Sequence, residues 1–335
     1  MKRIPVLIDT DVDIDDWMAI LYLSMHPDVD LRGLTTTGVG ASHLTPGTRN
    51  ALNLLQLTGK PDVPVAKGTN APLRYSNVFP ASIRGPIDAV YNVPLPTNPN
   101  GPVAESAVEF LRATLEASPD PMTILAIGGG TNLGTLLHEH PEIAPKIERI
   151  VMMGGAVYVP GNVHDVDPDY LNKVAEWNFF LDPLGGQYMF DSGVPITLIP
   201  LDASNHVPLN LPFYDRIQQR HTTPQSAFIY QTLTADIPFV QSGEFFFWDP
   251  LAAATLTDPD VTSGKTLKLR VVQELDEEDD HSGQLVEDPN GAAIDVRLDA
   301  NADAFYDLFL DTINRSAGVS PAPIGRLARS QKENA

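Results

Sequence analysis

A chain of 335 residues, 43% hydrophobic and 19% charged, has the composition of a globular protein with a sizeable core, which excludes a disordered or collagen-like class. Its formal charge of −21 argues against nucleic acid or an anionic membrane as partner. With no cysteine, disulfides, thiolate metal sites and cysteine nucleophiles are excluded too.

The basic start at Lys2-Arg3 leads into an apolar run that stops at Asp9, too short for a signal-peptide core. No uncharged run approaches the ~20 residues that span a bilayer. The expectation is a soluble, cytoplasmic protein with no membrane partner. Short apolar runs alternate with helix-like segments, the pattern of βαβ units and hence of an α/β fold with an open, mainly parallel (Rossmann-like) sheet flanked by helices. Val6 to Ile8 reads as the first buried strand, and Trp17 to Met25 as a helix ended by His26-Pro27. Leu31 to Thr36 is the second strand, and Thr48 to Leu57 is helical, stopped by Gly59 and Pro61. Residues 70 to 102, rich in Pro and Asn and without periodicity, read as a long loop or flap, and 70 to 91 as a mobile lid. Val103 to Ala117 is an amphipathic helix. Thr123 to Ile127, Ile150 to Met153 and Thr197 to Pro200 are buried strands, the first two running into Gly128-Gly129-Gly130 and Gly154-Gly155. Gln225 to Val240 reads as helix. Lys265 to Gln273 and Ala292 to Leu298 read as strands around an acidic turn, Glu274 to Asp280, and Ala302 to Asn314 as the closing helix. No composition shift marks a linker, so one domain is expected over residues 1–315, with a loose tail at 316–335.

The segment Asp9-Thr10-Asp11-Val12-Asp13-Ile14-Asp15-Asp16 sets five carboxylates in eight positions directly after the first strand. Ligands of open α/β sheets bind at the carboxyl ends of strands, and crowded carboxylates have raised pKa values unless a cation neutralises them. A hard, oxygen-liganded cation such as calcium or magnesium meets that need. Helix capping accounts for one or two of the five, not for all. An EF-hand loop from Asp9 fails, because Ile14 and Ile20 stand where it requires Gly and Glu. A haloacid-dehalogenase-like phosphatase shares the strand-Asp-x-Asp start, but has Thr or Val where Asp13 stands. Its later Lys and paired-Asp motifs are not evident, and it is kept as the alternative.

The same string resembles the N-terminal fingerprint of the inosine-uridine nucleoside hydrolases. Ile127-Gly128-Gly129-Gly130-Thr131-Asn132 resembles the family's Gly-Gly-x-Thr-Asn turn. Val151-Met152-Met153-Gly154-Gly155, Gly161-Asn162-Val163 and Ala175-Glu176-Trp177-Asn178 resemble its sugar-binding block, and Trp248-Asp249-Pro250 its closing metal motif. The resemblance spans residues 9 to 250 in the family's order. It implies a nucleoside hydrolase fold and hydrolysis of the N-glycosidic bond of a small nucleoside, with a calcium ion on Asp11, Asp16, Asp249 and the Ile127 carbonyl. Asp11 is implied as the general base on a metal-bound water. Asp15 is implied at the ribose 2′-hydroxyl, Asn162 and Glu176 at the 5′ side, Asn178 at the 3′-hydroxyl, and Met153 beneath the sugar. The implied assembly is a homo-oligomer, dimer or tetramer. Asp9 is expected to orient the loop rather than to bind metal.

The chain also departs from the family's pattern. Trp248 stands where pyrimidine and mixed-specificity members have a His that protonates the base, and it resembles the purine-preferring inosine-adenosine-guanosine branch. That reading expects Trp248 to stack on the base, with Tyr75, Phe79 or Tyr91 of the flap as the second aromatic. After the second strand, Gly38-Val39-Gly40-Ala41-Ser42-His43 lacks the family's Asn or Asp, leaving His43 or Ser42 to substitute. That gap keeps open a calcium-binding member that has lost catalysis.

Overall fold

Alternation of apolar runs with helices builds a twisted sheet whose strands are β1 (Ile4–Thr10), β2 (Val29–Thr36), β3 (Val65–Lys67), β4 (Met122–Ile127), β5 (Ile147–Met153), β6 (Ile196–Ile199), β7 (Thr262–Val271), β8 (Leu285–Glu287) and β9 (Ala292–Ala300). The computed structural model describes residues 3–276 and 278–315. The expected tail at 316–335 lies outside them. The strand order is β3-β2-β1-β4-β5-β6-β9-β7-β8, parallel from β3 through β9, with β7 antiparallel to both β9 and β8.

Period-two alternation sends successive side chains to opposite faces. Val6 and Ile8 of β1, Leu125 and Ile127 of β4, and Val151 and Met153 of β5 enter one core. Leu7, Ile124, Ala126, Ile150 and Met152 enter the other. The helices α1 (Ile14–Met25) and α2 (Leu44–Leu57) join the first core, as do helices Trp248–Thr257 and Ala302–Ile313. The short α3 (Ala81–Asp88) contributes Ile87 there. The second core takes α4 (Ala107–Ala117), α5 (Thr131–Glu139) and helix Pro183–Asp191.

Several expected boundaries move, each for a local reason. The helix expected from Trp17 starts at Ile14, because Asp13 and Asp16 form a capping box. The one expected from Val103 starts at Ala107, where Ser106 and Glu109 form another. The helix expected over Gln225 to Val240 is two, Pro224–Ala235 and Ile237–Ser242, broken at Asp236. Pro238 brings no N–H to continue the ladder of the first helix, and it suits the first turn of the second. The flap is not one long loop: Ala81–Asp88 is helical despite Pro86, and Val90–Asn92 form a short turn. No described helix is long and apolar enough to cross a membrane.

β1 is the pivot of the sheet. The chain moves from β1 outward to β2 and β3, then returns to lay β4 on the other side of β1. The loops leaving β1 and β4 therefore diverge and open a crevice at their carboxyl ends, the place where such sheets bind ligands.

Candidate active site and metal centre

The crevice receives the acidic segment. Thr10 and Ile127 are register partners at the ends of β1 and β4, so the loop after Thr10 lies beside the Ile127 carbonyl. α1 then starts at once, with Asp15 and Asp16 in its first turn, and helix Trp248–Thr257 brings Asp249 in its own first turn. Both helix N-termini favour negative charge.

The loop is held by its own backbone. Val12 has φ 64°, a left-handed conformation rare for a β-branched residue. Its N–H donates to Thr10 Oγ1 at 3.0 Å, and its carbonyl accepts from the indole of Trp17 at 2.8 Å. Asp16 accepts from the Asp13 N–H at 3.0 Å and from the Thr10 hydroxyl. Capping thus accounts for Asp13 and part of Asp16. Asp9 is occupied by Thr35 at 2.6 Å and Asn132 at 2.8 Å, an orienting role.

Oxygens of Asp15, Asp16 and Asp249 lie within 4.8 Å of one another, all buried. Asp249 Oδ1 accepts no hydrogen bond among the described residues. Burial, then mutual repulsion, raises Asp249 and Asp16 well above the usual carboxylate range and Asp15 to about 7. Asp11 is raised by burial as well. Three convergent anions with an orphaned oxygen, and with no ion pair to a side-chain cation among the described residues, fit a hard cation. Asp15, expected only at a sugar hydroxyl, belongs to this trio. Asp11 instead turns Oδ2 to the Ala41 N–H at 2.6 Å, and its carbonyl accepts from the Ser42 hydroxyl.

The sugar-binding block is one network. Glu176 accepts from Gly155 N–H at 2.7 Å and Asn178 N–H at 2.9 Å, and burial raises it to about 7. Gly155 needs its glycine: φ is 81°, and an added β-carbon would lie 2.2 Å from Leu285. The Asn178 amide donates to the Met153 carbonyl at 3.3 Å, and Asn162 Oδ1 accepts from Trp177 N–H at 3.2 Å. Repulsion from Asp11 is among the causes that raise Glu176, so this network borders the acidic cluster.

Other expected residues are engaged elsewhere. His43 pairs with Asp88 at 2.6 Å on the surface and does not face Asp11. In the flap, Tyr75 donates to the Gln273 carbonyl and Phe79 stacks on Trp177 with centroids 4.1 Å apart. Leu73 N–H and the Asn77 amide pin the same segment to Asp182 and the Phe180 carbonyl. The lid expected to stack on a base with Tyr75 and Phe79 is therefore a docked segment, and only Tyr91, edge-on to Trp17, remains near the acidic loop. Trp248 is half-buried against Phe239, Phe245 and Phe246. Sequence reasoning missed Thr10, Trp17, Ala41 and Arg84. The bonds from Ala41 and to Val12 use backbone groups, which leave no mark in residue identity.

Residues 6–307 match the family described as Inosine-uridine preferring nucleoside hydrolase. The chain is 31% identical over 265 residues to the pyrimidine-specific ribonucleoside hydrolase RihA of Citrobacter koseri, covering 77% of this chain and 80% of that one. A solved inosine-uridine preferring nucleoside hydrolase from Bacillus anthracis superposes with a TM-score of 0.79 at 26% identity, covering 94% and 99% of the two chains. A purine-preferring ribonucleoside hydrolase from Gardnerella vaginalis gives 0.76 at 27% identity, covering 92% and 98%. The relatives thus support the family but not the narrower resemblance to its purine-preferring branch. The chain belongs to the inosine-uridine nucleoside hydrolase family, metal-dependent hydrolases of α/β fold that cleave the N-glycosidic bond of ribonucleosides.

Proposed function

We propose that the protein hydrolyses ribonucleosides to ribose and free base with a calcium ion held by Asp11, Asp16, Asp249 and the Ile127 carbonyl, Asp15 lying against the same ion. The observation that carries this is the orphaned Asp249 Oδ1 beside the carboxylates of Asp15 and Asp16. Donors from separated segments, all oxygen, suit the 6–8 ligands that calcium takes. When bound, the cation would neutralise the cluster, acidify a water and hold sugar hydroxyls.

The chain's own groups supply the rest. Asp11, oriented by the Ala41 N–H, takes the proton of the attacking water. Asp15 accepts the ribose 2′-hydroxyl, Asn178 meets the 3′-hydroxyl, Asn162 and Glu176 hold the 5′ side, and Met153 packs beneath the ring. The surrounding carboxylates stabilise positive charge as the sugar becomes oxocarbenium-like.

For the base we propose purine preference, carried by Trp248. Indole has no proton to give at physiological pH, but its face can stack on a base, worth ~1–3 kcal/mol. A stacked purine can take its proton from solvent at N7. A second reading, pyrimidine preference, is favoured by the likeness to RihA. One domain over residues 1–315, a homo-oligomeric assembly and a cytoplasmic location complete the proposal. A reducing-sugar assay on purine and pyrimidine nucleosides, with and without chelation, tests it. Calcium-dependent ribose release supports the reading. Phosphate release from nucleotides without ribose release would replace it with a metal-dependent phosphatase, and calcium binding without any turnover with an impaired member.

A further inference from the structure

Arg84 sits on α3 and donates from Nη2 to the carbonyls of Gly38 and Ser42, each at 2.8 Å. The turn between those two carbonyls is the one that presses on Asp11. Ala41 N–H donates to Asp11 Oδ2 at 2.6 Å, and a β-carbon at Gly40 would lie only 1.7 Å from that same oxygen. The described hydrogen bond from this turn to the Asp11 carboxylate comes from backbone, so a shift of the turn by a few tenths of an ångström moves the carboxylate with it. Charge-assisted bonds are about twice as strong as neutral ones, which makes a guanidinium shared by both carbonyls an effective clamp.

α3 has other anchors. Asp88 accepts from His43 N–H at 2.9 Å, the Asn50 amide donates to the Asp88 carbonyl at 3.2 Å, and Ile87 is buried. Removing the guanidinium therefore loosens the turn without releasing the helix.

We propose that Arg84 is a positioning residue for Asp11, acting through the 38–42 turn. It fixes from the flap the backbone of a turn whose own side-chain bond to Asp11, from the Ser42 hydroxyl, goes to the Asp11 carbonyl and not to its carboxylate. The inference rests on the hydrolase reading above.

R84A and R84K are compared with the wild type in kcat and KM on the fastest-cleaved nucleoside. The Ala41 amide is followed in parallel by NMR of ¹⁵N-alanine-labelled protein. R84A lowers kcat about 10- to 100-fold with KM changed less than about threefold, the loss expected when a reacting group is misplaced by up to 1 Å. The Ala41 amide proton moves upfield and exchanges faster, and R84K restores most of both. Unchanged kcat, a loss confined to KM, or a loss tracking the melting temperature in both variants overturns the proposal. An unmoved Ala41 resonance overturns it too, and that readout needs no turnover. A wild type that cleaves no nucleoside defeats the hydrolase reading separately.

Discussion

The indole N–H of Trp17 and the carbonyl of Val12 meet at 2.8 Å, and this bond joins the first helix to the most strained residue of the acidic loop. A left-handed non-glycine residue costs of order 1–3 kcal/mol and persists only where its surroundings over-determine it. Here the constraint is double, because Thr10 holds the Val12 N–H as Trp17 holds its carbonyl. The reward is geometric: the chain turns sharply enough for Asp15 and Asp16, in the first turn of the helix, to converge with Asp249.

Trp17→Phe keeps the buried ring and deletes the donor. It should cost about 1–3 kcal/mol, the penalty for an unsatisfied buried carbonyl, and should weaken calcium binding. Urea denaturation of chelated protein and a calcium titration measure the two effects. A change below about 0.5 kcal/mol would mean that Val12 holds its conformation unaided.

Asp11→Asn and Asp249→Asn should fail differently. The first removes the general base and should lower kcat about 10²–10⁴-fold while calcium still binds, more weakly. The second removes the orphaned oxygen's charge and should abolish tight calcium binding. Since burial raises Asp249 so far, its neutral amide should also stabilise the chelated protein. Calorimetric titration and melting in chelator separate these outcomes. Equal calcium affinity in wild type and Asp249→Asn would remove that residue from the metal set.

Without metal, stability should fall as pH rises through neutrality. Asp15 and Glu176, raised by burial to about 7, bind protons more tightly folded than unfolded. Without metal, their contribution to stability is fully present below the ordinary values of 3.8 and 4.5 and is lost as pH rises through about 7. His26, lowered by burial to about 4, works the other way, its contribution being lost as pH falls from 6.5. Chelated protein should melt lower at pH 8 than at pH 6, and the rise in melting temperature on adding calcium should be larger at pH 8. A chelated protein that melts higher at pH 8 would contradict the raised carboxylates.

Much of the site was legible because its chemistry depends on charge. Five carboxylates behind a buried strand point to a cation whatever the fold, and Asp16 and Asp249, 233 positions apart in sequence, lie together in the structure. The sheet was legible for a related reason: parallel strands buried on both faces carry continuous apolar runs, such as 124–127 of Met122–Ile127. The flap was not, because Gly85 and Pro86 inside Ala81–Asp88 carry breaker signals that tertiary contacts override. The convergence of Asp15 with Asp16 and Asp249 was hidden as well, since Asp15 and Asp16 differ only in the direction each takes from the helix.

Trp248→Ala should collapse any purine preference by removing the stacking face, with loss in kcat/KM for inosine of about 5- to 150-fold, from ~1–3 kcal/mol. The comparison is kcat/KM for inosine, adenosine and guanosine against uridine and cytidine. Uridine cleaved as well as inosine by the wild type would support the RihA-like reading and leave Trp248 as part of the wall formed with Phe239 and Phe245.

The pivot of the sheet at β1 also has a consequence for synthesis on the ribosome. The acidic loop is made first, its neighbouring strand β4 only after residue 121, and the helix bearing Asp249 after residue 247. Until then the nascent chain carries a crowded anionic loop without the Asp249 ligand, and closing so long a loop is entropically costly and slow. A cation captured once Asp249 arrives would act as a clasp between the loop after β1 and the helix Trp248–Thr257. The ion would then be a late checkpoint of folding as well as an instrument of hydrolysis.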